Sequence, residues 1–216
     1  MRRRLTDYVL PRKFEPFAQS RLDVRSILDV GCANNSARNA KRWFPNATYS
    51  GIDIDVTYNS PEIDRFYHLD LDSDSLASVP DCAFDLILFA HVIEHLHHGE
   101  AAIKHLAQKL RPGGTIYIET PSERSARLPS GVGCLNFYDD PTHVRLYSHA
   151  ELEAAVNDAG LRTKMSGIAR SKVWLAMGLT VMLPLQAKAL FLKRRLFGPA
   201  LWDLFGFRAF IIAVRD

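Results

Sequence analysis

Three side chains able to move protons or bind metal lie close together in the sequence: His91, Glu94 and His95. At positions i, i+3 and i+4 they share one face if a helix starts there. They follow the apolar run Phe84-Asp85-Leu86-Ile87-Leu88-Phe89-Ala90, which reads as a fully buried parallel strand. A fourth, His143, sits in a long segment beside Asp139 and Asp140. A histidine oriented by a carboxylate can take the proton from a hydroxyl. His143 is therefore the first candidate for a general base and His91 the second, with Asp140 or Asp139 as the orienting acid. The set His91, Glu94, His95 and His143 also offers nitrogen and oxygen ligands to a divalent metal, as an alternative to the metal-free chemistry expected here. His97 and His98 read as surface residues.

A second constellation lies earlier, in Ser26-Ile27-Leu28-Asp29-Val30-Gly31-Cys32-Ala33-Asn34-Asn35. A buried strand stops at Gly31, and a polar, helix-starting segment follows. Gly31 lets backbone and ligand approach closely. The helix that follows points unpaired N–H groups into the crevice. A second strand then ends at Asp53, where an acid can accept hydrogen bonds from both hydroxyls of a ribose. A dinucleotide site needs G-x-G-x-x-G to bring backbone against a pyrophosphate. Here the later glycine positions are Ala33 and Asn35, and Asp29 would face a phosphate with like charge. A ligand with a ribose and a cation fits better, and S-adenosylmethionine has both. Cys32 reads as a small packed residue in this loop.

The elements that must position these groups alternate strand and helix. Strands are expected at about 26–30, 48–54, 65–70, 84–90, 115–119, 161–168 and 206–214. Helices are expected at about 35–44, 99–111 and 148–159. Arg111-Pro112-Gly113-Gly114 is a helix stop. Ser148 reads as an N-cap and Gly160 as a stop. Residues 120–147 form a long connection whose aromatic and mixed-charge composition marks a functional loop.

Taken together, Asp29-Val30-Gly31-Cys32-Ala33-Asn34-Asn35, then Phe84-Asp85-Leu86-Ile87, Glu94-His95-Leu96 and Leu110-Arg111-Pro112-Gly113-Gly114-Thr115 resemble the class I S-adenosylmethionine-dependent methyltransferases. The resemblance covers about 25–165, and only the first glycine of the D-x-G-x-G-x-G motif is kept. It implies an α/β, doubly wound, Rossmann-like sheet of seven strands in the order 3-2-1-4-5-7-6. Strand seven would be antiparallel, with helices on both faces. It also implies that Asp70 receives the adenine amino group and that Leu71 packs on the ring. The implied cofactor contacts are then Asp29, Gly31, Cys32, Asp53, Ile54, Asp70, Leu71 and His91. The Glu94-His95 pair with His143 resembles the metal ligands of small-RNA 3′-end methyltransferases and ubiquinone-pathway O-methyltransferases, with His91 standing where those carry a first Glu. The Asp140-Pro141-Thr142-His143 and Tyr147-Ser148 stretches resemble the subgroup acting on small molecules and sugars. With this resemblance, the cluster of candidate bases makes O-methylation of a small-molecule, sugar or lipid-linked hydroxyl the expected activity. Two other readings stay open: a non-catalytic cofactor-binding relative serving as partner subunit, and a dinucleotide-dependent oxidoreductase.

The chain has 216 residues, 47% hydrophobic and 24% charged, enough for one domain with a sizeable core. A single domain is expected over 1–216, with a lead-in at 1–24, a lid at 120–147 and an apolar helical insertion at 171–203. The net charge of +3 is too small to argue for a nucleic-acid partner. The three cysteines, Cys32, Cys82 and Cys134, show no metal spacing and point to a reducing, cytoplasmic compartment. The basic start is not followed by the apolar run of a secretory signal. From Val173 to Ala187 no residue is charged, and Pro184 interrupts the run, which is too short to span a bilayer. Three roles are open for it: a buried insertion, an acceptor-pocket wall or dimer face, and an interfacial helix with Lys193, Arg194 and Arg195 at lipid headgroups.

Overall fold

The computed structural model describes residues 12–17, 19–20, 22–33, 36–128, 136–170, 176, 179–180, 187 and 205–216. Its centre is a seven-stranded sheet: β1 (Ser26–Val30), β2 (Thr48–Asp53), β3 (Arg65–His68), β4 (Phe84–Ala90), β5 (Leu110–Pro121), β6 (Arg162–Ile168) and β7 (Arg208–Val214). The order is β3-β2-β1-β4-β5-β7-β6. Strands β1 to β5 pair in parallel, while β7 runs antiparallel to both β5 and β6. The expected topology is the one found.

Alternation along the central strands buries both faces. Leu28, Val30, Ile87 and Phe89 face one layer, against Ile103 and Leu106 of α2 (Gly99–Lys109) and Leu152 and Val156 of α3 (His149–Asp158). Ile27, Leu86 and Leu88 face the other, against Ala37 and Ala40 of α1 (Ser36–Trp43) and Phe44. A strand covered on both sides has no polar face, so β4 reads as an unbroken apolar run. The short 3-10 turn Arg12–Phe17 completes the second layer. Its Phe14 is fully buried and meets Phe44 edge-on at 5.2 Å. That packing anchors a lead-in that the sequence marks as irregular or short helical.

Two elements differ from expectation. Helix α2 ends at Lys109, and β5 begins at once at Leu110 and not at Thr115. The Pro112-Gly113-Gly114 stop is absorbed into the strand. Leu110 pairs with Phe84, the register slips before Leu86 meets Thr115, and Gly113 takes φ +77° in the irregular stretch. Helix α3 begins as expected at a capping box, in which Ser148 and Glu151 each accept the other's backbone N–H. The apolar insertion at 171–203 lies outside the described residues apart from Ala176, Leu179, Thr180 and Ala187, as do Asn34, Asn35 and Cys134. No helix among the described residues is long and apolar enough to cross a membrane.

Candidate active site

The carboxyl ends of β1, β2 and β4 open onto a cavity of about 370 Å³, within the ~300–1,000 Å³ usual for small-molecule sites. Gly31 lies at its floor with φ +70°, and a Cβ there would stand 2.4 Å from Val92 Cγ2. Only glycine fits both that backbone and that gap. Asp53 is 8% exposed and lines the cavity at the end of β2. Its Oδ2 accepts from Ala33 N at 3.1 Å and its Oδ1 from Asp55 N at 3.1 Å. Each oxygen keeps a lone pair for a further donor, the requirement for holding two ribose hydroxyls. Ile54, Leu69, Leu71, Val92 and Leu96 give apolar walls, and Asp70 and Asp72 stand at the rim. Asp72 accepts from His97 N and His98 N at 3.0 and 3.1 Å, which ties the rim to the start of α2. His97 and His98 themselves are exposed.

Among the expected cofactor contacts, Gly31, Asp53, Ile54, Asp70 and Leu71 line this cavity. Asp29, Cys32 and His91 do not. Cys32 is buried, and its Sγ fills the space over Gly51, where a Cβ would come within 2.6 Å of it. Burial first, then the charges of Asp29 and Asp53, push its thiol up to about 12, so it stays protonated. Asp29 is 1% exposed on β1, and its Oδ2 accepts from Lys13 Nζ at 2.7 Å, Tyr49 Oη at 2.6 Å and Ser36 Oγ. Its Oδ1 is buried with no hydrogen-bond partner. The nucleoside part of S-adenosylmethionine fits an apolar slot with an acid at the ribose position. Its positive charge suits a cavity lined by Asp53, Asp70 and Asp72, carboxylates that would repel a pyrophosphate.

His91 departs furthest from expectation. It has φ +55°, uncommon outside glycine, and its N–H donates to Glu119 O at 2.7 Å. Its ring lies between two buried acids, Nδ1 at 3.1 Å from Glu94 Oε1 and Nε2 at 3.0 Å from Glu119 Oε1. Serving two carboxylates needs both ring protons. Burial alone would lower its pKa, but bonds to Glu119 and then Glu94 outweigh it and push it up to about 9. At neutral pH His91 is thus a fixed imidazolium, which does not suit the general-base role expected of it. Glu119 is in turn bound by Tyr117 Oη and by Arg208 Nη1 at 2.6 Å. Burial would raise Glu119, but Arg208 and then His91 hold it well below the usual carboxylate range. Glu119, Tyr117 and Arg208 were not singled out from sequence. Arg208 carried a signal, a lone charge inside the apolar strand Phe207-Arg208-Ala209-Phe210-Ile211.

The loop after β5 folds over the same end of the sheet. Val144 N and Arg145 N donate to Glu94 O at 2.8 and 3.1 Å, docking it on the 3-10 turn Ile93–His95. His143 stacks on the buried Phe137 at 4.6 Å and lies 4.8 Å from the His95 ring. His143 Nδ1 is 2.6 Å from Phe137 O, and His95 Nδ1 is 3.1 Å from Thr142 O. A carbonyl only accepts, so each Nδ1 carries a proton, and Nε2 is the ring nitrogen left to accept. The expected orienting acid, Asp140, is not on Nδ1: its Oδ2 lies 3.9 Å from Nε2, and its Oδ1 accepts from Thr142 N and Oγ1. Phe137 O orients the ring instead. The donor atoms of Glu94, His95 and His143 all lie within 4.8 Å of one another, while His91 stays outside the group.

A family profile described as a methyltransferase domain matches residues 1–164. The chain belongs to that family. The methyltransferase domain is 29% identical over 147 residues to a probable S-adenosylmethionine-dependent methyltransferase of Mycolicibacterium smegmatis, covering 65% of this chain and 53% of that protein. It is also 29% identical over 177 residues to a ubiquinone biosynthesis O-methyltransferase of Parvibaculum lavamentivorans, covering 71% of this chain and 63% of the relative. The chain thus spans about half to three-fifths of these relatives' length. A methyltransferase of Haloferax volcanii, solved with the Trm112 methyltransferase activator, shares the fold with a TM-score of 0.67 at 17% identity, covering 94% and 89% of the two chains. An Archaeoglobus fulgidus S-adenosylmethionine-dependent methyltransferase does so at 0.60 and 21%, covering 94% and 90%.

Proposed function

We propose that this methyltransferase domain binds S-adenosylmethionine in the crevice at Gly31, Asp53 and Asp70 and methylates a hydroxyl of a small-molecule, sugar or lipid-linked acceptor. His143 is its general base. One observation carries the base assignment: the Nδ1 proton of His143 is committed to Phe137 O, leaving Nε2 as the acceptor on the loop over the cofactor crevice. The cofactor supplies an activated methyl group. The chain must hold the acceptor in line and remove its proton. A base on a loop docked to Glu94 is placed by the protein and not by the substrate. Replacing His143 with Ala should cut turnover by about 10²–10⁴-fold and leave S-adenosylhomocysteine affinity unchanged. A variant with full turnover sinks the assignment.

A second reading has its own observation, the convergence of Glu94, His95 and His143. Two imidazoles with backbone carbonyls fixing their tautomers, plus one carboxylate, are suited to a divalent ion such as Mn²⁺, Fe²⁺ or Zn²⁺. There the same Nε2 atoms would be ligands, and the ion would lower the acceptor pKa. Titration with Mn²⁺ or Zn²⁺ decides between the two. Submillimolar binding that His95→Ala abolishes supports the metal. Turnover unaffected by a chelator supports His143 as base.

A further inference from the structure

The cavity at Gly31 lies over β1, β2 and β4, and the charges on its walls are acidic. Across β5 the charge reverses. The carboxyl ends of β5 and β6 and the amino end of β7 meet there, along the edge where a doubly wound sheet binds its ligands. Arg124 lies in the 3-10 turn Glu123–Arg127 that follows β5, and Arg170 comes just after the end of β6. Gly206, buried with φ +69°, leads into β7. A Cβ on it would lie 3.6 Å from Arg124 Nη1 and 3.5 Å from Arg170 Nη2, so the two guanidiniums converge over one residue. Neither makes an ion pair or hydrogen bond among the described residues, and Glu123, exposed and next in the chain, pairs with neither. Elsewhere Arg38, Arg111, Arg145, Arg162 and Arg208 each hold a carboxylate. Cations this close lie within the ~8 Å Debye length of physiological salt and repel each other unless an anion joins them. Backbone bonds keep them there. Ser122 N donates to Phe207 O and Ser122 Oγ to Gly206 O, both at 2.6 Å, and Ala169 N donates to Arg208 O at 2.9 Å. Ser122 and Ala169, both buried, thus tie the roots of the two arginines to the start of β7.

We propose that Arg124 and Arg170 bind an anionic group of the methyl acceptor, a phosphate or a carboxylate. The inference rests on the methyltransferase reading of the adjoining crevice and narrows its acceptor to a hydroxy compound that also carries an acid. Guanidinium forks match the oxygens of both groups. One strand joins the two places: Thr120 Oγ1 at the end of β5 donates to Glu94 Oε2 at 3.2 Å, and the chain then runs on to Arg124. With neighbouring strands ~4.8 Å apart, the step from β4 to β7 is about 10 Å. A phosphorylated sugar or an aryl acid spans such a gap. Asp53, Asp70 and Asp72 repel an anion from the cofactor flank. The two flanks together turn such a molecule so that its acid meets the arginines and its neutral hydroxyl points toward His143.

The test follows the arginine Nε–H signals of the parent chain, saturated with S-adenosylhomocysteine, by NMR during titration with phenyl phosphate, benzoate and benzyl alcohol. The anions should shift the Arg124 and Arg170 signals saturably, and the neutral alcohol should not. Tighter binding of phenyl phosphate supports a phosphorylated acceptor, and tighter binding of benzoate a carboxylic acid. Arg124→Gln and Arg170→Gln, both at exposed positions, should each weaken the anion by about tenfold. No saturable shift with either anion, or an affinity unchanged in both variants, overturns the inference and leaves the cofactor reading intact. In matched hydroxy compounds with and without the acidic group, kcat/KM should favour the acid by about tenfold, and Arg170→Gln should remove that preference. A neutral member used equally well overturns the acceptor role. A parent chain that fails to bind S-adenosylhomocysteine overturns the cofactor reading and the acceptor role with it, a failure seen before any anion is added.

Discussion

The most consequential single residue is His91, because geometry fixes its protonation state. One imidazole between Glu94 and Glu119 satisfies both acids only as the cation. Its folded pKa of about 9 lies above the ordinary 6.5. The stabilisation is therefore complete below pH 6.5 and is lost as pH rises through about 9. The thermal midpoint should fall over that window in the parent chain. His91→Asn, which tolerates positive φ but does not titrate, should lack that decline, and an identical decline in both proteins would contradict the assignment. Sequence placed His91 just after β4 but did not show the two acids beside it. Its partner Glu119 is 28 residues away and Arg208 a further 89, and no local pattern joins the three. Gly31 and Asp53 were legible for the opposite reason. Each is dictated by its own strand end, one by backbone conformation and one by position, so nearby residues suffice to find them.

At the scale of elements, β7 reaches beyond the sheet. It slots between β5 and β6 and carries Arg208, 2% exposed, to the base of the site, where it holds Glu119. Breaking a buried pair leaves an unpaired charge in the interior and costs about 3–5 kcal/mol. Arg208→Met should lose stability on that scale in chemical denaturation. A loss under about 1 kcal/mol, the range of exposed pairs, would mean that Glu119 is held by His91 and Tyr117 alone. The strands themselves were readable wherever burial is uniform, as in Phe84–Ala90, which is found with the bounds expected. They were misread where turn residues serve a strand. Pro112, Gly113 and Gly114 have the composition of a loop, but pairing with β4 carries the chain through them with an irregularity. Propensity yields there to the hydrogen bonds of the neighbouring strand.

On the scale of the whole molecule, the fold brings distant stretches to one end of the sheet. Lys13 comes from the lead-in, Gly31 and Asp53 from the first two strands, His91 to His95 from the end of β4, His143 from the following loop and Arg208 from the last strand. The topology was legible because each apolar run and each stop signal recurs in the order a doubly wound sheet requires. The charges around the crevice were only partly legible. Asp53, Asp70 and Asp72 can be counted in sequence, but that all three line one crevice follows only from the fold. That arrangement is what separates a cationic nucleoside from a pyrophosphate-bearing one. Thermal unfolding of the parent chain with S-adenosylhomocysteine, and in parallel with NAD, tests it most directly. At 100 times its dissociation constant a ligand adds about 2.7 kcal/mol to stability. A raised midpoint with S-adenosylhomocysteine and none with NAD is the predicted result. No rise with S-adenosylhomocysteine, or a rise with NAD, would contradict the reading of the crevice.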